Sequence, residues 1–118
     1  MLKSLLGQSA ESRAEAFLKS QGLKPVARNW RCRFGEIDLV MRDKDTLVFV
    51  EVRMRSRDDF GGAAASVTPA KQRRLIAAAR LYLSSLPTLP PCRFDVVALS
   101  GKKADPEWMR SAFDDMGY

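Results

Sequence analysis

The chain has 118 residues, 46% hydrophobic and 29% charged, enough for one domain-sized core and too ordinary in composition for a disordered segment. Twenty Lys and Arg against fourteen Asp and Glu leave +6 at pH 7, a balance that favours a polyanionic partner, with nucleic acid first. Histidine is absent, which excludes a Ser-His-Asp triad and every His-containing metal site and leaves catalysis to carboxylates, Lys or a metal.

Residues Ser9 to Gln21 place Ala10, Ala14, Phe17 and Leu18 at helical spacing, with Ser9 as the expected N-cap and Gly22 as the stop. Lys24 to Arg33 mixes Val26, Trp30 and Cys32 with Arg28, Arg31 and Arg33 and reads as a half-exposed basic strand ending near Gly35. Glu36 to Arg42 and Leu47 to Arg53 are two runs of seven separated by the charged turn Asp43 to Thr46, the pattern of a β-hairpin. Met54 to Ser66, polar and Gly-rich around Gly61 and Gly62, is expected to be an exposed basic loop starting with Arg55 and Arg57. Thr68 and Pro69 open a second helix that carries Leu75, Ala79, Tyr82 and Leu83 to about Ser85. Pro87, Pro90 and Pro91 break it, Arg93 to Leu99 forms a fourth strand, and Asp105 and Pro106 are expected to open a terminal helix containing Trp108, Met109 and Phe113.

The expected fold is therefore mixed α+β: a helix, a three-stranded meander, a crossover helix, a fourth strand and a short terminal helix, with helices flanking a mixed sheet. The whole chain, 1–118, reads as a single domain with its core at about residues 7–99 and the last helix at 105–116. Cys32 and Cys92 are far apart and outside any CxxC pair, so two buried thiols in a reducing cytoplasm are the simple expectation. Apolar runs such as Leu47 to Val50 are far below the ~18 residues of a membrane span. Met1 to Gly7 is too short for a secretory signal, so a cytoplasmic protein with no membrane partner is expected.

The hairpin carries the chemistry. A symmetric turn at 43 to 46 sets Asp38 opposite Glu51 and Glu36 opposite Arg53, with Ile37, Leu39 and Met41 on the other face. Like charges facing each other across a ladder need a cation between them, either an Arg or a metal. A hard ion such as Mg2+ or Mn2+ takes such oxygen ligands together with phosphate oxygens, and could promote attack on a phosphodiester without histidine. Arg53 lies two residues beyond Glu51 on the same strand face, where its charge could contact the scissile phosphate.

Gly35-Glu36-Ile37-Asp38-Leu39-Val40, Val48-Phe49-Val50-Glu51-Val52-Arg53 and Arg93-Phe94-Asp95-Val96-Val97 resemble the small YraN-like bacterial family. That family is grouped with the restriction-endonuclease-like, PD-(D/E)xK nucleases and the archaeal Holliday-junction resolvases. The resemblance runs from about Gly7 to Leu99 and implies a restriction-endonuclease-like core and Mg2+-dependent cleavage of DNA. By position, Glu15 resembles the helical acid of that superfamily, Asp38 the motif Asp and Glu51 the motif acid, with Asp38 and Glu51 as metal ligands. Arg53 stands where the motif has Lys, Lys71 at the start of the second helix could substitute for that Lys, and Gln72 resembles a polar position that some members use at the site.

Bland readings stand beside these. Asp38 and Glu51 could be ordinary acids on a solvated strand face, Glu15 a plain surface residue, Glu36 a partner for Arg53, and Asp95 a buried structural acid or a group supporting the site. Arg28, Arg31, Arg33, Arg55, Arg57, Lys71 and Arg74 either keep the domain soluble or contact nucleic-acid phosphates, in DNA by preference over RNA. Trp30 and Tyr82 fit a core, whereas Phe60 is the better candidate for base stacking. Three functions remain open: a metal-dependent endodeoxyribonuclease, for which a homodimer and branched DNA are the variants to consider; a nucleic-acid-binding module of the same fold without turnover; and an adaptor for an acidic protein.

Overall fold

In the computed structural model, residues 2–54, 67–100 and 106–114 are described, with side chains from residue 10 onward. Helix α1 spans Leu2–Ser20 and buries Ala10, Ala14 and Leu18, three positions spaced by four that form one stripe. It starts before the expected N-cap, so Ser9 lies inside the helix. Nothing in residues 2–8 halts a helix, since Gly7 costs only ~1 kcal/mol. Its end is a Schellman turn: Leu23 N–H donates to Leu18 O at 3.0 Å and Gly22 N–H to Lys19 O at 3.0 Å, with Gly22 at φ 98°.

Strands β1 (Lys24–Cys32), β2 (Gly35–Asp43) and β3 (Thr46–Met54) form the antiparallel meander. β1 is an edge strand, which tolerates Pro25 beside the register shift that separates Pro25 from Ala27. Asp43 pairs with Thr46, Met41 with Val48 and Leu39 with Val50, the register expected of the symmetric turn, and Lys44 at φ 56° makes the tight reversal. Helix α2 (Pro69–Ser84) has Thr68 as its N-cap, whose hydroxyl oxygen accepts from Lys71 N–H at 3.2 Å. It carries the chain over to β4 (Cys92–Leu99), which lies parallel to β3 in the pairing Leu47–Cys92 through Met54–Leu99.

The terminal helix expected at 105–116 is instead a strand over its described part, β5 (Glu107–Phe113), antiparallel to β4. Short apolar runs do not separate helix from strand by periodicity. Here tertiary demand decides: Phe94, Val96, Val97 and Ala98 are buried, and an uncovered β4 would leave an apolar edge. Trp108 Nε1–H and Ser111 N–H donate to the Asp95 carboxylate, each at 2.9 Å, and Arg93 Nε–H donates to it at 3.1 and 3.2 Å. Asp95 is thus a fully buried structural acid that pins β5.

The sheet order is β1-β2-β3-β4-β5, with α1 on one face and α2 on the other. Ala14 and Leu18 of α1 cluster with Leu39, Met41, Val48, Val50, Val97 and Leu99. Ala78 and Ala79 of α2 cluster with Ile37, Val40, Leu47, Phe49 and Phe94. Helix, meander, crossover helix and parallel fourth strand match the restriction-endonuclease-like core that the family resemblance implies. Cys92 is exposed and Cys32 half-buried, so the thiols are not the buried pair expected, and neither is in a disulfide. No helix among the described residues is long and apolar enough to cross a membrane.

Candidate active site

The site forms where β2 and β3 part. Their ladder ends at Leu39–Val50, and one step beyond it Val52 N–H donates at 2.9 Å to Asp38 Oδ2. A side chain has taken the place of a strand carbonyl. The alternation expected along β2 breaks at the same point: Leu39 and Met41 join the α1 cluster, but Ile37 joins the α2 cluster. Asp38 therefore sits in the fork, with neighbours from both layers of the fold.

From the α2 side comes Glu51, only 5% exposed, facing the Lys71 ammonium at 3.2 Å from its Oε2. That contact is an ion pair without the angles of a hydrogen bond, so Glu51 Oε2 is a buried oxygen with no hydrogen-bond donor. From the α1 side comes Glu11, 8% exposed, whose Oε2 is likewise buried and without a donor. Glu11, Glu36 and Asp38 each offer a carboxylate oxygen, and the three oxygens lie within 4.8 Å of one another.

Crowded acids hold protons. Burial, then a hydrogen bond with Glu51 and that residue's charge, push the Asp38 carboxyl up to about 8, against the opposing pull of Val52 N–H and Lys71. Burial also raises Glu11, helped by the charges of Asp38 and Glu36 and opposed by a hydrogen bond from Asn29 and the charge of Arg28. Asn29 adopts φ 54° within β1, a left-handed geometry that Asn tolerates better than most residues other than glycine.

Of the residues expected from sequence, Asp38, Glu51 and Lys71 come together. Glu15 does not join them: Arg28 donates to Glu15 Oε1 at 2.7 Å and to Ser12 Oγ at 3.1 Å, which ties the acid to β1. Glu11, one turn earlier on α1, is the acid that lies beside Asp38. Its signal was legible in principle, because Glu11 shares the i, i+3, i+7 spacing of Ala14 and Leu18, and an acid on an apolar stripe is seldom idle. Arg53 lies half-buried on β3 opposite Ala98, and Glu36 pairs with Arg31 at 3.7 Å instead of with Arg53. Gln72 spends its amide on Val67 O at 3.0 Å, bracing the start of α2. Arg33 lies over the Phe34 ring at 4.8 Å, and Arg74 is exposed beside Gly35. Trp30 and Tyr82 pack edge to face at 5.3 Å as core residues. Arg55, Arg57 and Phe60 lie outside the described residues.

The fold defines a mixed α+β class, a five-stranded mixed sheet with a helix on each face, consistent with a restriction-endonuclease-like core, and three acids gather at its strand fork. The family model described as "Uncharacterised protein family UPF0102" matches residues 10–99. A UPF0102 protein of Cupriavidus taiwanensis is 64% identical over 109 residues, covering 92% of this chain and 82% of the relative. Another, of Nitrosospira multiformis, is 59% identical over 115 residues and covers 97% of both chains. The chain belongs to the UPF0102 family, as its resemblance to the YraN-like proteins indicated.

Proposed function

We propose that this chain is a metal-dependent endonuclease-like protein that acts on the phosphodiester bonds of DNA. The observation that carries the reading is the buried, donor-less Oε2 of Glu11 in a group of three carboxylate oxygens within 4.8 Å. Asn29 and the charge of Arg28 serve the Glu11 carboxyl in part, and a cation would satisfy the buried oxygen that is left without a donor. The donor set is all oxygen, which fits Mg2+ or Mn2+ and disfavours a soft, thiolate-seeking metal.

Glu11, Glu36 and Asp38 would hold the ion, with Glu51 at its margin. A divalent ion there supplies positive charge to the phosphoryl oxygens and acidifies a water. The protein's own groups supply the rest. Val52 N–H fixes the Asp38 carboxylate, and Lys71 brings an ammonium against Glu51 from the first turn of α2. Lys71 thereby takes the work that the resemblance assigns to a motif lysine at position 53, orienting water and stabilising charge on the phosphate. The exposed cations of β1 and α2 hold the nucleic-acid backbone without regard to base sequence.

Arg53 favours a second reading, in which the same fold binds nucleic acid without turnover, because a guanidinium does not give up a proton near neutral pH. Cleavage of labelled single-stranded, duplex, flap and four-way-junction DNA with Mg2+, Mn2+ or EDTA decides between them. Metal-dependent cutting that is lost in Glu11→Gln and Lys71→Met supports the nuclease. Binding without cutting by the native protein, with cutting gained in Arg53→Lys, supports the binding module. Neither binding nor cutting on any substrate refutes both.

A further inference from the structure

The β1–β2 turn holds two residues, Arg33 and Phe34, between the paired Cys32 and Gly35. Tight hairpin turns are the usual place for Gly, Asn, Asp or Pro, and Phe34 belongs to none of the core clusters among the described residues. Phe34 is 37% exposed, one of the few large apolar residues left in solvent among those described. Gly35 follows at φ 145°, a conformation that side chains rarely adopt, so the backbone is bent to present this tip.

One cation lies on the ring and two stand near the turn. The Arg33 guanidinium lies 4.8 Å from the ring centroid; Arg31, 77% exposed two residues before it, has its guanidinium 3.7 Å from Glu36, and exposed Arg74 of α2 lies beside Gly35. Glu36, a member of the carboxylate group, is two residues from Phe34, and Asp38 is four. At ~3.3 Å per strand residue, the ring stands ~13 Å along the strand from Asp38. One aromatic flanked by arginines is the pairing that single strands require, a π-face for a base and charge for its phosphates. Guanidinium planes accept bases as rings do, and Arg33 lies over one face of Phe34, so a base would stack on the ring's other face or on the guanidinium itself.

We infer that Phe34 and Arg33 form a stacking site for an unpaired nucleobase, with Arg31 and Arg74 holding the adjoining phosphates. The inference rests on the nucleic-acid reading above and adds the substrate class: a strand unpaired a few nucleotides from the carboxylates. In a continuous duplex the bases are stacked on one another and offer no face to the ring. An unpaired strand, a flap or a frayed junction offers one. The site thus discriminates among DNA structures, and the carboxylate cluster carries no part of that discrimination.

The test is the affinity of the full chain for a labelled oligothymidine strand and for a blunt duplex of equal length, in EDTA at low salt. Native protein is compared with Phe34→Ala, Phe34→Trp and Arg33→Ala. Phe34→Ala is expected to weaken single-strand binding about 5- to 150-fold, the range of base–aromatic stacking, and to leave duplex binding unchanged. Phe34→Trp is expected to restore it and to add tryptophan emission that the strand quenches. Equal single-strand affinity of Phe34→Ala and native protein overturns the inference, as does equal loss on strand and duplex. Cutting by Asp38→Asn, measured in parallel, reports on the metal site alone. If Phe34→Ala binds normally while Asp38→Asn no longer cuts, only the stacking site fails; the reverse pattern fails only the nuclease.

Discussion

Asp38→Asn isolates the energetic cost of gathering acids at the strand fork. The Asp38 carboxyl rises from an ordinary 3.8 to about 8 in the folded chain, chiefly through burial and then through Glu51. Between those values the folded protein binds more protons than the unfolded chain, so stability without metal falls as pH rises. One group can contribute up to ~1.4 kcal/mol per pH unit, or ~3 kcal/mol from about pH 5 to about pH 7. Glu11 is raised as well and acts with the same sign. Asparagine cannot titrate, keeps a carbonyl oxygen for Val52 N–H and removes the charge that helps to raise Glu11. In urea titrations with EDTA, native protein is expected to lose midpoint steadily across this range, and Asp38→Asn to be flatter and to overtake it near neutral pH. Saturating Mg2+ is expected to restore the native protein at the upper end. Parallel pH profiles for the two proteins would refute the reasoning.

Asp95→Ala strips the acceptor from Trp108, Ser111 and Arg93 in the sheet interior and is expected to cost ~3–5 kcal/mol in chemical denaturation; a cost near that of a surface change would deny its role in pinning β5. Thr68→Ala removes the oxygen that accepts from Lys71 N–H and is expected to cost ~1 kcal/mol, read as a lower melting temperature, with no loss expected if the cap is idle. Lys71→Met is expected to slow cleavage ~100-fold or more, the scale of a lost group that stabilises transition-state charge, whereas Arg53→Lys leaves the rate at or above native. The opposite ranking in a single-turnover assay would return the motif role to position 53.

Local signals read well where one rule decides. Thr68 and Pro69 mark the start of α2, and the symmetric turn at 43–46 fixes the hairpin register that brings Asp38 to Glu51. They fail where distant parts of the chain decide. Glu107 to Phe113 has no strand signature of its own, and becomes β5 because β4 needs a partner and Asp95 needs donors. The parting of β2 and β3 is also invisible to alternation, which expects Ile37 beside Leu39 and Met41 and misses the fork that receives Asp38. Glu15 and Glu11 are one turn apart on the same helix, and only the height of α1 against the sheet selects Glu11. The symmetric turn predicts Glu36 beside Arg53, but the ladder ends at Leu39–Val50 and β1 supplies Arg31 instead.

Mn2+ titrated into the metal-free protein near neutral pH, followed by calorimetry, tests the carboxylate cluster as a cation site most directly. Native protein is expected to bind the ion, with Glu11→Gln and Asp38→Asn each weakening it about 10-fold or more, since even outer partners of a metal act on that scale. Binding that is unchanged in both variants, or absent from the native protein, would contradict the assignment.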